Sequence, residues 1–167
     1  MHDGNVDADE FERLYADHAQ AVFGFLSYRT GDRVLAEDLV ADTFERAYRA
    51  RRRFDRRKAS EKTWIYAIAL NCLRDHVRRQ GAEARAVARV GAGAAVSRGE
   101  QEEQAVIDRD WLSRGLAELS DHEREAVALR YGADLSAPDI ARLLGEPLTT
   151  VEGRIYRALR KLREHLA

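Results

Sequence analysis

The chain has 167 residues, 45% of them hydrophobic, which is enough for one ordinary domain or two small ones. Two prolines and few β-branched residues, against many Ala, Leu, Arg and Glu, predict an all-α protein. The single cysteine, Cys72, excludes an intrachain disulfide and a cysteine-based zinc site.

The first residues and the longest apolar run argue against export and membrane insertion. Asp3, Asp7 and Asp9 lie where a secretory signal peptide has its apolar core. The apolar run 64–70 is too short to cross a bilayer. We therefore expect a cytoplasmic protein with no membrane partner.

The net charge of -1 conceals a strong segregation of charge along the chain. Residues 1–45 carry 3 basic and 11 acidic groups, whereas residues 46–80 carry 12 basic and 3 acidic groups. The second block is about as basic as many nucleic-acid-binding modules. This pattern predicts one surface for a polyanion and another for a basic partner.

Two amphipathic helices are predicted first. Asp7, with Glu10 three residues later, is a capping pair that opens a helix as far as about Tyr28. After a break at 30–32, the second helix has an acidic side that carries Glu37, Asp38, Asp42 and Glu45. Such a face is often an ordinary solvated surface, and the residues alone leave that alternative open.

The segment 49–62 breaks helical and strand periodicity and concentrates charge around one aromatic residue, Phe54. A loop of this kind can bind phosphates and offer an apolar platform to an unstacked base. Ser60 then caps a third helix, with its apolar side made of Trp64, Ile65, Ile68, Cys72 and Val77. Its outward side has Asn71, Arg74, Arg78 and Arg79, which are able to contact bases and phosphates.

Residues 81–105 are rich in Ala and Gly and predict a flexible linker, and a frayed helix in its first part is the alternative left open. A helix is expected to restart over 107–119. Ser120 and Glu123 form a capping box for the next helix, which is expected to bury Val127, Leu129 and Tyr131.

The chain ends in a predicted helix-turn-helix. Ser136 caps its first helix, Gly145 ends that helix and Pro147 prevents its continuation. The second helix is basic and has its apolar side at Val151, Ile155, Leu159 and Leu162. A plain helical hairpin with a solvated arginine face is the alternative.

Glu152 has two roles open to it at this point. If the last helix starts at Thr149, Glu152 closes a capping box. Otherwise it is placed to accept a hydrogen bond from cytosine N4 in the major groove.

The two halves together resemble the sigma factors of bacterial RNA polymerase, specifically the extracytoplasmic function (ECF) class. The matching stretches are AEDLVADTFERAYRA at 36–50, then Phe54, KTWIYAIALNCLRDHVRR at 62–79, and the helices of 119–166. The resemblance implies an all-α fold of two small helical domains joined by a flexible linker. Region 2 would occupy 1–80, the linker 81–105, and region 4, a helix-turn-helix, 106–167.

The resemblance also implies roles for individual residues. Contacts to the core RNA polymerase clamp would come from Glu37, Asp38, Leu39, Val40, Asp42 and Phe44. Contacts to the minus-10 element would come from Arg53, Phe54, Arg56, Arg57, Lys58, Ser60, Lys62, Asn71, Arg74 and Arg78. Contacts to the minus-35 element would come from Thr149, Thr150, Glu152, Gly153, Arg154, Arg157, Arg160 and Lys161.

Further partners are implied as well: the flap region of the polymerase, promoter DNA and an anti-sigma factor. Linker acids such as Glu102 and Glu103 would mimic nucleic acid near the RNA path. Scattered histidines, one cysteine and no glycine-rich phosphate loop predict no cofactor, no metal site and no enzymatic activity.

Two departures from the family pattern affect these roles. Ala41 lies where many members carry a glutamine in the polymerase-binding helix. Glu152 and Gly153 lie where many members have a basic residue followed by serine. Three other functions compete with the sigma interpretation: a stand-alone helix-turn-helix regulator, a sigma-like decoy that only binds polymerase, and a nucleic-acid-processing enzyme.

Overall fold

The structure, a computed structural model, describes residues 7–88 and 114–167. The chain divides into two compact units, Met1–Gly99 and Glu100–Ala167. Every regular element in the described residues is helical, and the predicted all-α fold of two helical domains is confirmed. Most of the predicted linker, with Glu102 and Glu103, and the helix expected from residue 107 up to residue 113 lie outside the described residues.

The N-terminal unit contains three helices, α1 (Ala8–Thr30), α2 (Arg33–Ala50) and α3 (Glu61–Ala88), with a 3-10 turn at Arg51–Arg53. The predicted capping box is present, since Asp7 accepts a hydrogen bond from the Glu10 backbone N–H at 2.8 Å. Ser60 accepts one from the Thr63 N–H at 3.1 Å and caps α3 as predicted.

The core of this unit is apolar and aromatic. Leu26, Ile65 and Leu70 are fully buried where the three helices meet. Phe25 packs edge-on against Tyr66, with ring centroids 5.4 Å apart, and burial raises the pKa of Tyr66 to about 12. Cys72 is also buried, and this burial raises the pKa of its thiol to about 11.

Two features of α3 differ from the sequence prediction. Val77 was expected on the apolar stripe, but it is 58% exposed, because the buried part of α3 ends at Leu73. The helix also continues to Ala88, so the segment predicted as a linker begins with the last turns of α3. Its run of Ala, Glu and Arg has high helix propensity, which accounts for the extension.

The C-terminal unit contains a helical stretch at 114–117, then α4 (Asp121–Val127), a π-helical turn at Ala128–Gly132, α5 (Ala137–Leu144) and α6 (Leu148–Leu166). The Ser120–Glu123 capping box is present. Ser136 accepts from the Asp139 N–H at 3.2 Å, and Gly145 ends α5 with a φ of 66°. These caps agree with the sequence prediction.

The sequence predicts that Tyr131 is buried in the core, but its side chain lies outside the core. It is 55% exposed, whereas Leu129 is fully buried. The π-helical turn explains the difference, because the Ala133 N–H bonds to the Ala128 carbonyl at 2.9 Å and adds a residue to the turn. The wider turn shifts the side chains that follow Ala128 away from their regular helical positions.

No helix in the described ranges has the length and apolar character that a membrane span requires.

Candidate nucleic-acid interface

The residues of α2 that are predicted to bind polymerase fall into an exposed group and a buried group. Glu37 and Asp38 are exposed. Leu39, Val40 and Phe44 are only 5%, 8% and 4% exposed, so they hold α2 in the three-helix core. This burial leaves those three little surface to offer a partner, because the apolar stripe of a helix is used for packing first.

Asp42 lies between these groups and is already paired. Its carboxylate is 3.0 Å from Arg46 Nη2, and Arg46 Nη1 donates to Asp75 of α3 at 2.8 Å. The Arg46 hydrogen bond holds the pKa of Asp75 below its usual range. Asp75 also accepts from Arg78 at 2.6 Å. This network links α2 to α3 through Arg46, a residue that the sequence pattern did not single out.

Phe54 occupies a different place from the one the sequence suggested. Its side chain is 6% exposed and stacks on Trp64, with ring centroids 4.5 Å apart and an interplanar angle of 24°. A ring buried in this way has no free face for an unstacked base. The prediction of an aromatic platform at Phe54 does not fit this packing. The contact with Trp64 instead holds the loop against α3.

The polar residues of the loop form a basic rim around an open pocket of about 390 Å³. The pocket is lined by His18, Arg56, Ala59, Ser60, Glu61 and Lys62. Three residues predicted to contact the minus-10 element, Arg56, Ser60 and Lys62, therefore meet at one site. His18 joins them from α1, and only the tertiary fold could identify it.

The remaining loop cations vary in their surroundings. Arg56 Nη2 is 3.0 Å from Glu61 and 3.3 Å from Glu10, and Arg57 is 3.2 Å from Asp55. The Arg57 hydrogen bonds hold the pKa of the Asp55 carboxyl below its usual range. Arg53 and Lys58 are exposed. On α3, Asn71, Arg74 and Arg78 are exposed along one side, as predicted.

Helix α6 begins at Leu148, whereas the capping-box interpretation of Glu152 requires it to start at Thr149. Pro147 is the N-cap residue, it provides no side-chain hydrogen bond, and Leu148 is the first helical residue. Glu152 is exposed in the second turn, and it pairs with no charged side chain in residues 7–88 and 114–167. The capping-box interpretation of Thr149 and Glu152 is therefore wrong.

The cations of α6 fall into two classes. Arg157 and Arg160 are exposed, and the neighbouring Thr149 is exposed at the start of the same helix. Arg154 has 15% of its side chain exposed and makes two hydrogen bonds to the Glu146 carboxylate, the longer of them 3.1 Å. Lys161 donates to the Glu123 carboxylate at 2.8 Å. Thr150 and Gly153 are half-buried.

The comparisons with known proteins bear on both units. The family model described as Sigma-70 region 2 matches residues 14–83, and the one described as Sigma-70, region 4, matches residues 109–162. The chain is 31% identical over 154 residues to the ECF RNA polymerase sigma factor SigL of Mycobacterium tuberculosis, covering 90% of this chain and 85% of SigL. The chain belongs to the ECF sigma factors.

A second relative agrees with this membership, and a solved structure shares the fold. This chain is 30% identical over 162 residues to the ECF sigma factor BldN of Streptomyces coelicolor. The match covers 93% of this chain but 60% of BldN. A solved structure of the sigma factor RpoE in complex with the anti-sigma factor NepR, from Bartonella quintana, has the same fold. Its TM-score is 0.76 at 24% identity, covering 95% of this chain and 98% of RpoE.

The matched ranges assign the structural elements to the two sigma regions. Helices α1 to α3 fall within or overlap the region 2 match, and α4 to α6 fall within or overlap the region 4 match. The pocket with Arg56, Ser60 and Lys62 therefore belongs to region 2, and the exposed side of α6 belongs to region 4.

Proposed function

We propose that this sigma factor binds core RNA polymerase and directs initiation at promoters that its two units recognise. The observation that carries the proposal is the pairing of two matched sigma regions with an exposed basic surface in each. The protein acts by binding alone, in the cytoplasm, with no catalytic step. An anti-sigma factor is a further candidate partner, because the relative RpoE was solved with one.

Docking on the polymerase is assigned to the exposed acids of α2. Glu37 and Asp38 project from a helix whose apolar side is packed in the core, so the backbone that carries them is held in place. Ala41 is exposed beside them, where many family members carry a glutamine. Leu39, Val40 and Phe44 contribute indirectly, since they hold the helix in place.

Recognition of the minus-10 element is assigned to the pocket of region 2 and the adjoining side of α3. Arg56, Ser60 and Lys62 offer hydrogen-bond donors at the pocket, which suits an extruded base or its phosphate. Asn71 and Arg74 lie on the exposed side of the same helix that follows the pocket. An amide and a guanidinium are the groups that most often read base edges.

Recognition of the minus-35 element is assigned to the exposed side of α6. Thr149, Glu152, Arg157 and Arg160 lie on the solvent-facing part of the second helix of a helix-turn-helix. That helix enters the major groove in proteins with this motif. Arg154 and Lys161 donate hydrogen bonds to carboxylates of the protein, so their part in DNA binding is smaller than their charge suggests. Arg157 lies 3.9 Å from the Glu123 carboxylate without a hydrogen bond and keeps half of its side chain exposed.

Co-elution of the full chain with core RNA polymerase tests the docking surface. The double charge reversal Glu37→Lys with Asp38→Lys should abolish co-elution, because it removes the acidic surface without touching the core. Glu12→Lys, together with Asp17→Lys, makes the same charge change at exposed positions on α1 and serves as the control. Failure of the unmodified chain to bind core polymerase would favour a stand-alone helix-turn-helix regulator instead.

A further inference from the structure

Glu123 is a buried carboxylate that joins α4 to the recognition helix α6. The residue is 5% exposed. Its Oε2 accepts hydrogen bonds from the Ser120 backbone N–H at 2.9 Å and from Lys161 Nζ at 2.8 Å. Its Oε1 is 3.9 Å from Arg157 Nε. Two partly exposed cations of α6 therefore converge on one buried carboxylate, Lys161 by a hydrogen bond and Arg157 by a longer ion pair.

The charge on Glu123 requires these partners. An ionised carboxylate buried without a cation is strongly unfavourable, and removing its partner leaves that cost uncompensated. The Lys161 hydrogen bond, assisted by the one from Ser120, holds the pKa of Glu123 below its usual range. At neutral pH the carboxylate is thus negative and attracts both cations.

Gly153 allows Arg157 to lie close to the surface of α6. A Cβ atom at position 153 would be 3.2 Å from Arg157 Nη1, which is closer than an ordinary contact. The guanidinium therefore folds back over the glycine. A Cβ at this position would require the guanidinium to shift by a few tenths of an ångström. The glycine and the buried carboxylate act together on the position of Arg157.

We propose that Glu123 is a positioning residue that competes with DNA phosphate for Lys161 and Arg157, and so limits non-specific binding by α6. The inference rests on the proposed minus-35 role of this helix. A cation that stays paired inside the protein releases no counterion from DNA when the complex forms. The recognition helix then binds DNA with a weaker salt dependence than its full set of cations would give.

The substitution Glu123→Gln tests this competition. Glutamine keeps the side-chain oxygen that a capping box needs but removes the charge that attracts the cations. The measurement is the slope of log K against log salt for holoenzyme, formed from the full chain and core polymerase, on closed promoter duplex. The slope should steepen by about 0.9 for each released cation, hence by about 0.9 to 1.8.

Glu118→Gln is the matched control. Glu118 is exposed in the same unit, and its side chain has no ion-pair partner among the described residues, so this variant changes the net charge equally without releasing a cation. Its slope should equal that of the unmodified chain. The Glu123→Gln variant should also bind an unrelated duplex more tightly at low salt, whereas the Glu118→Gln variant should show a smaller change.

Lys161→Gln, alone and combined with Glu123→Gln, provides a second route, since the combined variant leaves no buried carboxylate without its Lys161 partner. The proposal expects an unchanged slope for Lys161→Gln alone, and a return toward the original slope when it is combined with Glu123→Gln. A slope reduced by about 0.9 in Lys161→Gln alone, or an unchanged slope in Glu123→Gln, would overturn the proposal. Unmodified holoenzyme that binds promoter no better than core polymerase would instead refute the DNA-binding role of α6.

Discussion

Glu152 is the residue of α6 whose role the structure changes most. It is exposed in the second turn and takes no part in capping, so its carboxylate is free to accept a hydrogen bond from a base. We predict that Glu152→Gln and Glu152→Lys alter minus-35 preference, with about 1–3 kcal/mol of discrimination at one base pair. Binding to a panel of minus-35 duplexes measures this.

The thermal stability of these variants provides the control, and it should change little because Glu152 caps nothing. An unchanged base preference in both variants would show that Glu152 does not read DNA. A loss of stability with unchanged preference would restore a structural role for this side chain.

The burial of Phe54 predicts a structural role for its ring, whereas the loop sequence predicts that the ring stacks on an unstacked base. Its ring is buried against Trp64, so Phe54→Ala should destabilise the N-terminal unit by about 3–5 kcal/mol. Chemical denaturation monitored by tryptophan fluorescence measures the loss. Arg53→Ala, at the exposed neighbouring position, should change stability by less than about 0.5 kcal/mol. A Phe54→Ala variant of normal stability that fails only in promoter opening would support the base platform after all.

The turn between α5 and α6 depends on a backbone conformation that side chains disfavour. Gly145 has a φ of 66°, and the Glu146 N–H bonds back to the Ala141 carbonyl at 3.0 Å in a Schellman arrangement. Gly145→Ala should therefore destabilise the C-terminal unit by about 1–2 kcal/mol. Gly132→Ala, where φ is not positive and the space around a Cβ is open, should be neutral or slightly stabilising. Equal effects of the two substitutions would argue against left-handed strain as the cause.

The contact between α4 and α6 makes the stability of the C-terminal unit depend on pH. Lys161 and Ser120 lower the pKa of Glu123 in the folded state relative to the unfolded state. The resulting stabilisation is complete above the unfolded value of about 4.3 and is lost as the pH falls through the lower folded value. Asp139, with its pKa lowered by hydrogen bonds from Ser136 and Arg142, acts in the same direction.

Thermal unfolding of the full chain and of Glu123→Gln between neutral and acidic pH isolates the Glu123 contribution. The variant should be less stable than the unmodified chain at pH 7, and the difference should shrink as the pH falls below about 4. A difference that is constant across this range would show that the Glu123 charge does not stabilise the fold.

Four helix starts were accessible from sequence because each N-cap depends on a few neighbouring residues. Asp7, Ser60, Ser120 and Ser136 all cap the helices that their positions predicted. Burial was less accessible, because it depends on which elements meet. Val77 lies beyond the part of α3 that its neighbours cover, and a π-helical turn moves Tyr131 outward.

In the candidate sites, too, local features could be predicted from sequence and contacts between elements could not. The exposed sides of α3 and α6 could be predicted from periodicity, since polar residues at helical spacing face solvent. The partners of those residues could not. Glu123 and Lys161 are far apart in sequence, as are Arg46 and Asp75, and only the fold brings each pair together. The pocket residue His18 escaped prediction for the same reason.

In the proposed function of the whole molecule, a single chain carries one unit for each promoter element and also binds core polymerase. Run-off transcription with core RNA polymerase and the full chain, on a library of genomic promoter fragments, tests both roles together. We expect transcripts from a restricted set of fragments that share minus-35 and minus-10 elements, and none with core polymerase alone. Binding of the chain to core polymerase with no selected transcripts, or selection of DNA without any binding to polymerase, would contradict the account.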